Sequence, residues 1–113
     1  MPTRIENYII YGLKFGEDFT KDFWEKDFSD EMEWNEDKPK DKPFFISDGM
    51  NGLYTFFGFI QFLGDDDYDR VETITEIKTD FDPKYILSEF GNYFPEIKVD
   101  ESDVKLYYLP HFV

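Results

Sequence analysis

The segment from Leu53 to Leu63 (LYTFFGFIQFL) restricts the fold of this chain more than any other. It is apolar at nearly every position instead of every second one, which is typical of a strand that is covered on both faces. Phe44 to Ser47 (FFIS) precedes it, and the turn dipeptides Asp48-Gly49 and Asn51-Gly52 lie between the two. We therefore predict a short strand at 44–47, a turn, and a long central strand at 53–63.

Three further segments have the composition of strands. Asn7 to Phe15 (NYIIYGLKF) is rich in β-branched and aromatic residues and is followed by a glycine, and Val104 to Leu109 (VKLYYL) is similar in character. Arg70 to Lys78 (RVETITEIK) alternates between apolar and polar residues, which favours a half-exposed strand. It follows a turn at Gly64 to Asp69, so we expect it to complete a meander of three strands.

A helix is predicted from Asp82-Pro83 onward. Aspartate is a favoured N-cap residue and proline suits the first helical position, while Phe81 and Ile86 have the spacing of a hydrophobic staple. Gly91 is the expected C-terminal stop. The apolar residues that share one side are Ile86, Leu87 and Phe90. This pattern predicts a helix that packs on the sheet.

The acidic segment from Glu17 to Asp37 has helical spacing in its first part. Its apolar residues recur three to five positions apart for the most part, at Phe19, Phe23, Trp24, Phe28 and Met32. At about 100° per residue, however, Phe19 and Phe28 point to opposite sides of one straight helix. We therefore expect the helix to break near Ser29, and the polar segment Asn35 to Pro43, which contains two prolines, to be a loop.

These elements give the order β-α-β-β-β-α-β, in which two helices can cover one face of a sheet. We therefore predict an α+β fold, a two-layer sandwich with a mainly antiparallel sheet of about five strands and two helices. The chain has 113 residues, which is the size of one domain, so residues 1–113 are expected to form a single domain.

Negative charge is concentrated in the segment from Glu17 to Asp37, which holds ten carboxylates against two lysines, a net charge of −8 in 21 residues. The whole chain has a formal charge of −14. So acidic a surface repels nucleic acids and anionic membranes, and it favours a basic partner protein. We expect that partner to be a nucleic-acid-binding protein, because closely spaced carboxylates can compete with DNA phosphates for a groove lined with lysine and arginine.

The residues expected to contact this partner are carboxylates of the acidic segment and two tryptophans, since tryptophan is a favoured anchor of protein interfaces. They are Asp22, Glu25, Asp27, Asp30, Glu33, Glu36, Trp24 and Trp34. Two alternatives stay open. The carboxylates could form a plain solvated face that keeps the protein in solution, and the tryptophans could simply fill the core.

Catalytic chemistry is not indicated by the sequence. His111 is the only histidine and there is no cysteine, so we expect no nucleophilic dyad, no enzyme activity and no cofactor. The lack of cysteine and of an apolar N-terminal stretch favours a cytoplasmic protein without a membrane segment.

The Asp-rich turn is a candidate cation site. Asp65, Asp67, Asp69 and Glu76 have the spacing of positions one, three, five and twelve of an EF-hand loop. Arg70 stands where that loop needs glycine, and the flanking segments are predicted to be strands instead of helices. A solvated hairpin turn without a bound metal is therefore expected.

Two stretches, YIIYGLKF (Tyr8 to Phe15) and SDGMNGLYTFFGFI (Ser47 to Ile60), contribute most to the overall character of the chain. In that character it resembles the small, acidic, aromatic-rich uncharacterised proteins of phages of low-GC Gram-positive bacteria. The resemblance implies an accessory role, in which the protein binds and blocks a host nucleic-acid enzyme or a defence nuclease, in some cases by imitating DNA. An immunity protein against a nuclease toxin, a self-associating assembly protein and a homodimer stay open as alternatives.

Overall fold

The computed structural model describes residues 5–25, 32–35, 37–39, 41–48, 51–65 and 80–112. Its strands are β1 (Ile5–Phe15), β2 (Phe44–Ser47), β3 (Thr55–Asp65) and β4 (Lys105–Phe112). Its helices are α1 (Glu17–Glu25), α2 (Pro83–Tyr93) and a short 3-10 turn at Glu101–Asp103. The strands form one antiparallel sheet, which together with the helices confirms the predicted α+β fold.

The sheet has the strand order β2-β3-β1-β4. β3 lies inside it, between β2 and β1, as the apolar composition of this segment predicts, and residues 55–60 are all buried. β1 also pairs with β4, so the first and last strands of the described chain are neighbours. The strand predicted at 70–78, which would be the third strand of the expected meander, lies outside the described residues.

β1 and β3 come very close where Gly12 pairs with Gly58. A Cβ atom on Gly12 would stand 2.6 Å from the Cα atom of Gly58 and would overlap the carbonyl oxygen of Phe57. The close approach of the two strands therefore depends on glycine at both positions.

Both helices cover the same face of the sheet, which makes the fold a two-layer sandwich. On this face α1 buries Phe19 and Phe23, while α2 buries Ile86 and Phe90. The core that they share is formed by Leu13, Phe19, Phe23, Met32, Phe45, Phe57, Phe59, Ile86, Phe90, Phe94 and Val104. Phe15 stacks on both helices, with ring centroids 4.1 Å from Phe19 and 5.1 Å from Phe90. Such stacking adds to the stabilisation that burial provides.

A buried pair of hydroxyl groups fixes α1 on β3. Thr20 and Thr55 are both fully buried, and their Oγ1 atoms lie 2.8 Å apart. Thr20 Oγ1 also donates to the carbonyl oxygen of Gly16 at 2.9 Å. Because a hydroxyl has a single proton, Thr55 is the donor and Thr20 the acceptor of the pair.

α2 begins as predicted. The side chain of Asp82 accepts a hydrogen bond from the backbone N–H of Lys84 at 3.0 Å, and Pro83 is the first helical residue. The carboxylate thus satisfies one of the N–H groups that have no partner inside the helix.

The prediction that Gly91 stops α2 is wrong. The helix continues to Tyr93, and the N–H of Phe94 still donates to the carbonyl of Phe90 at 2.9 Å. The reason is tertiary, since Phe94 is buried in the core with its ring centroid 4.8 Å from that of Phe19. Extending the helix brings this ring into the core, and that burial outweighs the weak helical preference of glycine.

α1 ends at Glu25, and the predicted break near Ser29 lies outside the described residues. From Met32 to Trp34 the chain runs beside β2. The N–H of Phe45 donates to the carbonyl of Met32, and the N–H of Trp34 donates to the carbonyl of Phe45, both at 2.8 Å. Met32 shares a core cluster with Phe23, although one straight helix would point the two to opposite sides.

The opposite face of the sheet is apolar too, as the two-sided pattern of β3 predicts. Its buried cluster is Tyr8, Ile10, Phe44, Ile46, Phe56, Ile60 and Leu109. β3 thus contributes Phe57 to one core and Phe56 to the other. Trp34 packs against this second cluster.

Candidate functional site

A cleft of about 600 Å³ opens where β2, the end of α1 and the chain at 33–35 meet. Its lining residues are Glu6 and Tyr8 of β1, Trp24 of α1, Glu33, Trp34, Asn35, then Phe45, Ile46 and Ser47 of β2, and His111 of β4. Aromatic and acidic side chains from separate parts of the chain therefore converge on one concave surface. Such convergence is typical of a binding site.

Trp24 forms one wall of the cleft and is half exposed, at 50%. Its indole N–H donates to Ser47 Oγ at 3.4 Å. Its six-membered ring lies over Gly52, whose φ of 69° belongs to the left-handed region that favours glycine. The turn between β2 and β3 therefore holds this exposed ring in place.

Trp34 forms another wall and is partly buried. Its ring meets that of Tyr8 edge-on, with centroids 4.9 Å apart and planes at 80°, and it lies 6.2 Å from Phe62. These contacts belong to the apolar cluster on the second face of the sheet. Trp34 is thus a core residue on one side and a cleft residue on the other.

Two carboxylates contribute negative charge to the cleft. Glu6 accepts a hydrogen bond from the Tyr8 hydroxyl at 2.8 Å, which orients its carboxylate. Glu33 is exposed and immediately precedes Trp34. Among the described residues that line the cleft there is no lysine or arginine, so its electrostatic potential favours a cation.

His111 is buried where it lines the cleft, and a hydrogen bond of 2.7 Å joins its Nδ1 atom to the hydroxyl of the partly buried Tyr54. Burial, helped by the charge of Asp48, raises the pKa of Tyr54 to about 12. Burial lowers the pKa of His111, although the carboxylates of Glu6 and Asp48 oppose that change. Tyr54 therefore keeps its proton at neutral pH, and the lowered pKa of His111 favours its uncharged form. A neutral His111 adds no positive charge to the cleft.

Outside the cleft, α1 presents an acidic face to solvent. Asp18, Asp22 and Glu25 are exposed, and at about 100° per residue they fall within about 60° of one another. This face points away from Phe19 and Phe23, which are buried on the sheet. At the same angle per residue Trp24 lies about 100° from Glu25 and about 160° from Asp22, so the acidic face and the wall formed by Trp24 are different sides of α1.

The predicted partner-binding residues thus divide into three groups. Trp24, Glu33 and Trp34 share the cleft. Asp22 and Glu25 lie on the outer face of α1 and do not line it. The remaining three, Asp27, Asp30 and Glu36, lie outside the described residues.

Sequence reasoning assigned no role to Glu6, Tyr8 or His111. The signal that could have found them is the antiparallel register of β1 and β4, which sets Glu6 opposite His111. That register is visible only once the pairing of the first and last strands is known.

The candidate cation site is largely outside the described residues, since Asp67, Asp69 and Glu76 are not among them. Asp65 ends β3, where it is paired with Glu6 of β1. Within the described part of the chain, no group of three or more His, Asp or Glu residues is placed to hold a metal ion.

The chain matches no protein-family model, and comparisons with the curated proteins and with the solved structures find no similar protein. In the ranges described, no helix is long and apolar enough to span a bilayer. The geometry of the cleft and of α1 is therefore the basis for a proposal about function.

Proposed function

We propose that this protein is a non-enzymatic binding protein whose acidic surface, with tryptophans at its centre, binds a basic partner protein. The observation that carries the proposal is the position of Trp24. This residue is half exposed, it belongs to the same helix as the acidic face, and it lines a cleft that also contains Glu33. Tryptophan is enriched at the centres of protein interfaces, where charged side chains lie mainly at the rim.

The charge of the molecule selects the chemistry of the partner. A formal charge of −14 on 113 residues repels polyanions and attracts cationic surfaces. Attraction of this kind acts before contact and can raise the association rate by roughly 10 to 1,000-fold at low salt. A partner with a basic groove gains most from it.

The spacing of the charges favours a nucleic-acid-binding partner. α1 carries four carboxylates, Glu17, Asp18, Asp22 and Glu25, in nine residues. At a rise of 1.5 Å per residue this is about one carboxylate per 3.4 Å of helix, close to the phosphate spacing along one DNA strand, while Lys21 offsets one of the four charges. In this proposal the protein imitates DNA, is phage-encoded, and inhibits a host or defence protein in the host cytoplasm. An immunity protein against a nuclease toxin would use the same charges on a different partner.

The test is capture of the partner from a lysate of a low-GC Gram-positive bacterium, with two variants of equal net charge. In the test variant Asp22→Lys and Glu25→Lys reverse the face of α1. In the matched control Asp80→Lys and Glu101→Lys reverse two exposed residues on other parts of the chain. We expect the wild type and the control to capture the same basic nucleic-acid-binding protein, and the α1 variant to lose it. Equal capture by all three proteins, or capture of no basic protein, would refute the proposal.

A second candidate, self-association, is favoured by the outer surface of β4. Leu106 is 50% exposed and Tyr108 is 59% exposed, and among the described strands β4 pairs with β1 alone. Large apolar side chains that are exposed on one strand can bind a second copy of the chain. Sedimentation analysis of the wild type and of Leu106→Lys distinguishes the two functions, because only self-association predicts an oligomer that the substitution disrupts.

A further inference from the structure

We infer that the cleft lined by Trp24 and Trp34 binds the guanidinium group of an arginine side chain that the partner protein inserts. This inference rests on the proposed function and deepens it, because it names the group that the partner contributes and the place where that group binds.

The two indole rings give the cleft its affinity for a cation. The face of tryptophan attracts cations more strongly than that of any other side chain. Both rings are held before binding, since Trp24 lies over Gly52 with its N–H on Ser47, and Trp34 meets Tyr8 edge-on. A preformed site of this kind loses less conformational entropy when the ligand binds.

The carboxylates of the cleft favour arginine over lysine. Glu33 is exposed at the cleft wall, where its carboxylate can accept hydrogen bonds, and Glu6, which accepts from the Tyr8 hydroxyl, adds negative charge. A guanidinium is planar, donates several hydrogen bonds in a fixed fork and stacks on aromatic rings, whereas an ammonium is a compact and strongly hydrated charge. A cleft that combines indole rings with carboxylates therefore suits the guanidinium better.

The surroundings of the cleft indicate that the arginine belongs to a protein. A volume of about 600 Å³ is larger than one guanidinium group needs, and it leaves room for the neighbouring peptide. Glu25 follows Trp24 directly and is exposed, so its carboxylate attracts a basic residue that flanks the arginine. A peptide with several basic residues gains more from this charge than a single free arginine does.

Tryptophan fluorescence tests the inference directly, because the chain has two tryptophans and both line the cleft. The probes are the blocked peptides acetyl-GKRKG-amide and the same peptide with citrulline, a neutral analogue of similar shape, in place of arginine. We expect the arginine peptide to change the emission and to bind at least about tenfold more tightly than the citrulline peptide. Equal affinities, or no change of emission with either peptide, would overturn the inference.

Two further measurements locate the site and identify its ligand. Glu33→Gln should weaken binding of the arginine peptide, while Glu101→Gln, the matched control on the 3-10 turn, should leave it unchanged. Equal weakening by both substitutions would contradict binding in the cleft. N-acetyl-arginine methylamide should bind more weakly than the peptide, and equal affinity would show that the cleft takes a free small cation instead of a protein side chain.

Failure of this inference can be distinguished from failure of the proposed function. If Trp24→Ala and Glu33→Gln bind the captured partner normally while the α1 charge reversal does not, the arginine site is refuted and the proposed function stands. If the α1 reversal also binds normally, the proposed function is refuted. Circular dichroism verifies that each variant is folded.

Discussion

The indole ring of Trp24 and the backbone of Gly52 are in direct contact, so that a Cβ atom at position 52 would stand 3.0 Å from Cη2 and 3.3 Å from Cζ3 of the ring. Gly52 also has a φ of 69°, which other residues adopt only with strain. The turn between β2 and β3 thus sets the position of the last turn of α1. It thereby fixes one wall of the cleft.

Gly52→Ala should therefore affect both stability and the cleft. We expect a loss of about 1 kcal/mol in the free energy of unfolding, because alanine is strained at this φ. The added methyl group should displace Trp24 and change its fluorescence. Urea unfolding followed by tryptophan emission measures both effects.

Gly91→Ala is the matched control, since Gly91 lies inside α2 and a Cβ atom there would meet no atom within 4 Å. This substitution should stabilise the protein by about 0.5–1 kcal/mol through higher helix propensity. If Gly52→Ala and Gly91→Ala changed the free energy of unfolding in the same direction and by the same amount, this would contradict the claim that Gly52 sets the position of Trp24.

The buried hydroxyl pair of Thr20 and Thr55 should show strong coupling. Thr20→Val leaves the Thr55 hydroxyl buried without its acceptor, which should cost about 1–3 kcal/mol. Thr55→Val should cost less, because Thr20 still donates to the carbonyl of Gly16. The double variant removes both hydroxyls and should be more stable than the sum of the single effects indicates. A double-mutant cycle by urea unfolding measures this coupling, and additive effects would contradict it.

His111 should make the protein less stable as the pH falls. Burial lowers the pKa of His111 in the folded protein, although Glu6 and Asp48 oppose the shift. The unfolded chain therefore binds more protons than the folded one just below the ordinary histidine pKa of about 6.5. The stability that neutral His111 contributes is fully present above this pH and is lost as the pH falls through the folded-state value.

Urea unfolding of the wild type and of His111→Gln between pH 7.5 and pH 5 measures this effect. Carboxylates contribute to the pH dependence of both proteins, so the histidine contribution is the difference between their slopes. Parallel curves would show that His111 has the same pKa in the folded and unfolded states.

Local sequence patterns predicted the elements that depend on neighbouring residues. The two-sided apolar run located β3, and Asp82-Pro83 located the start of α2. Gly91 gave a wrong end for α2, because the helix is extended by the burial of Phe94 against Phe19, a contact between distant segments. Single-sequence reasoning weighs such contacts poorly.

The candidate site was only partly predictable, because some of its residues are brought together by contacts between distant segments. Trp24, Glu33 and Trp34 come from one acidic segment, and their residue types alone indicated binding. Glu6 and His111 come from opposite ends of the chain and meet only because β1 pairs with β4. Their contribution depends on strand pairing, which hydrophobic periodicity does not specify.

The most direct measurement is competition between this protein and double-stranded DNA for the captured basic partner, at low and at physiological salt. We predict that DNA displaces the protein, and that its affinity for the partner falls at least about tenfold between the two salt concentrations, since charge attraction is screened by added ions. A complex that DNA does not displace, and that binds equally tightly at both salt concentrations, would contradict an acidic surface that imitates DNA.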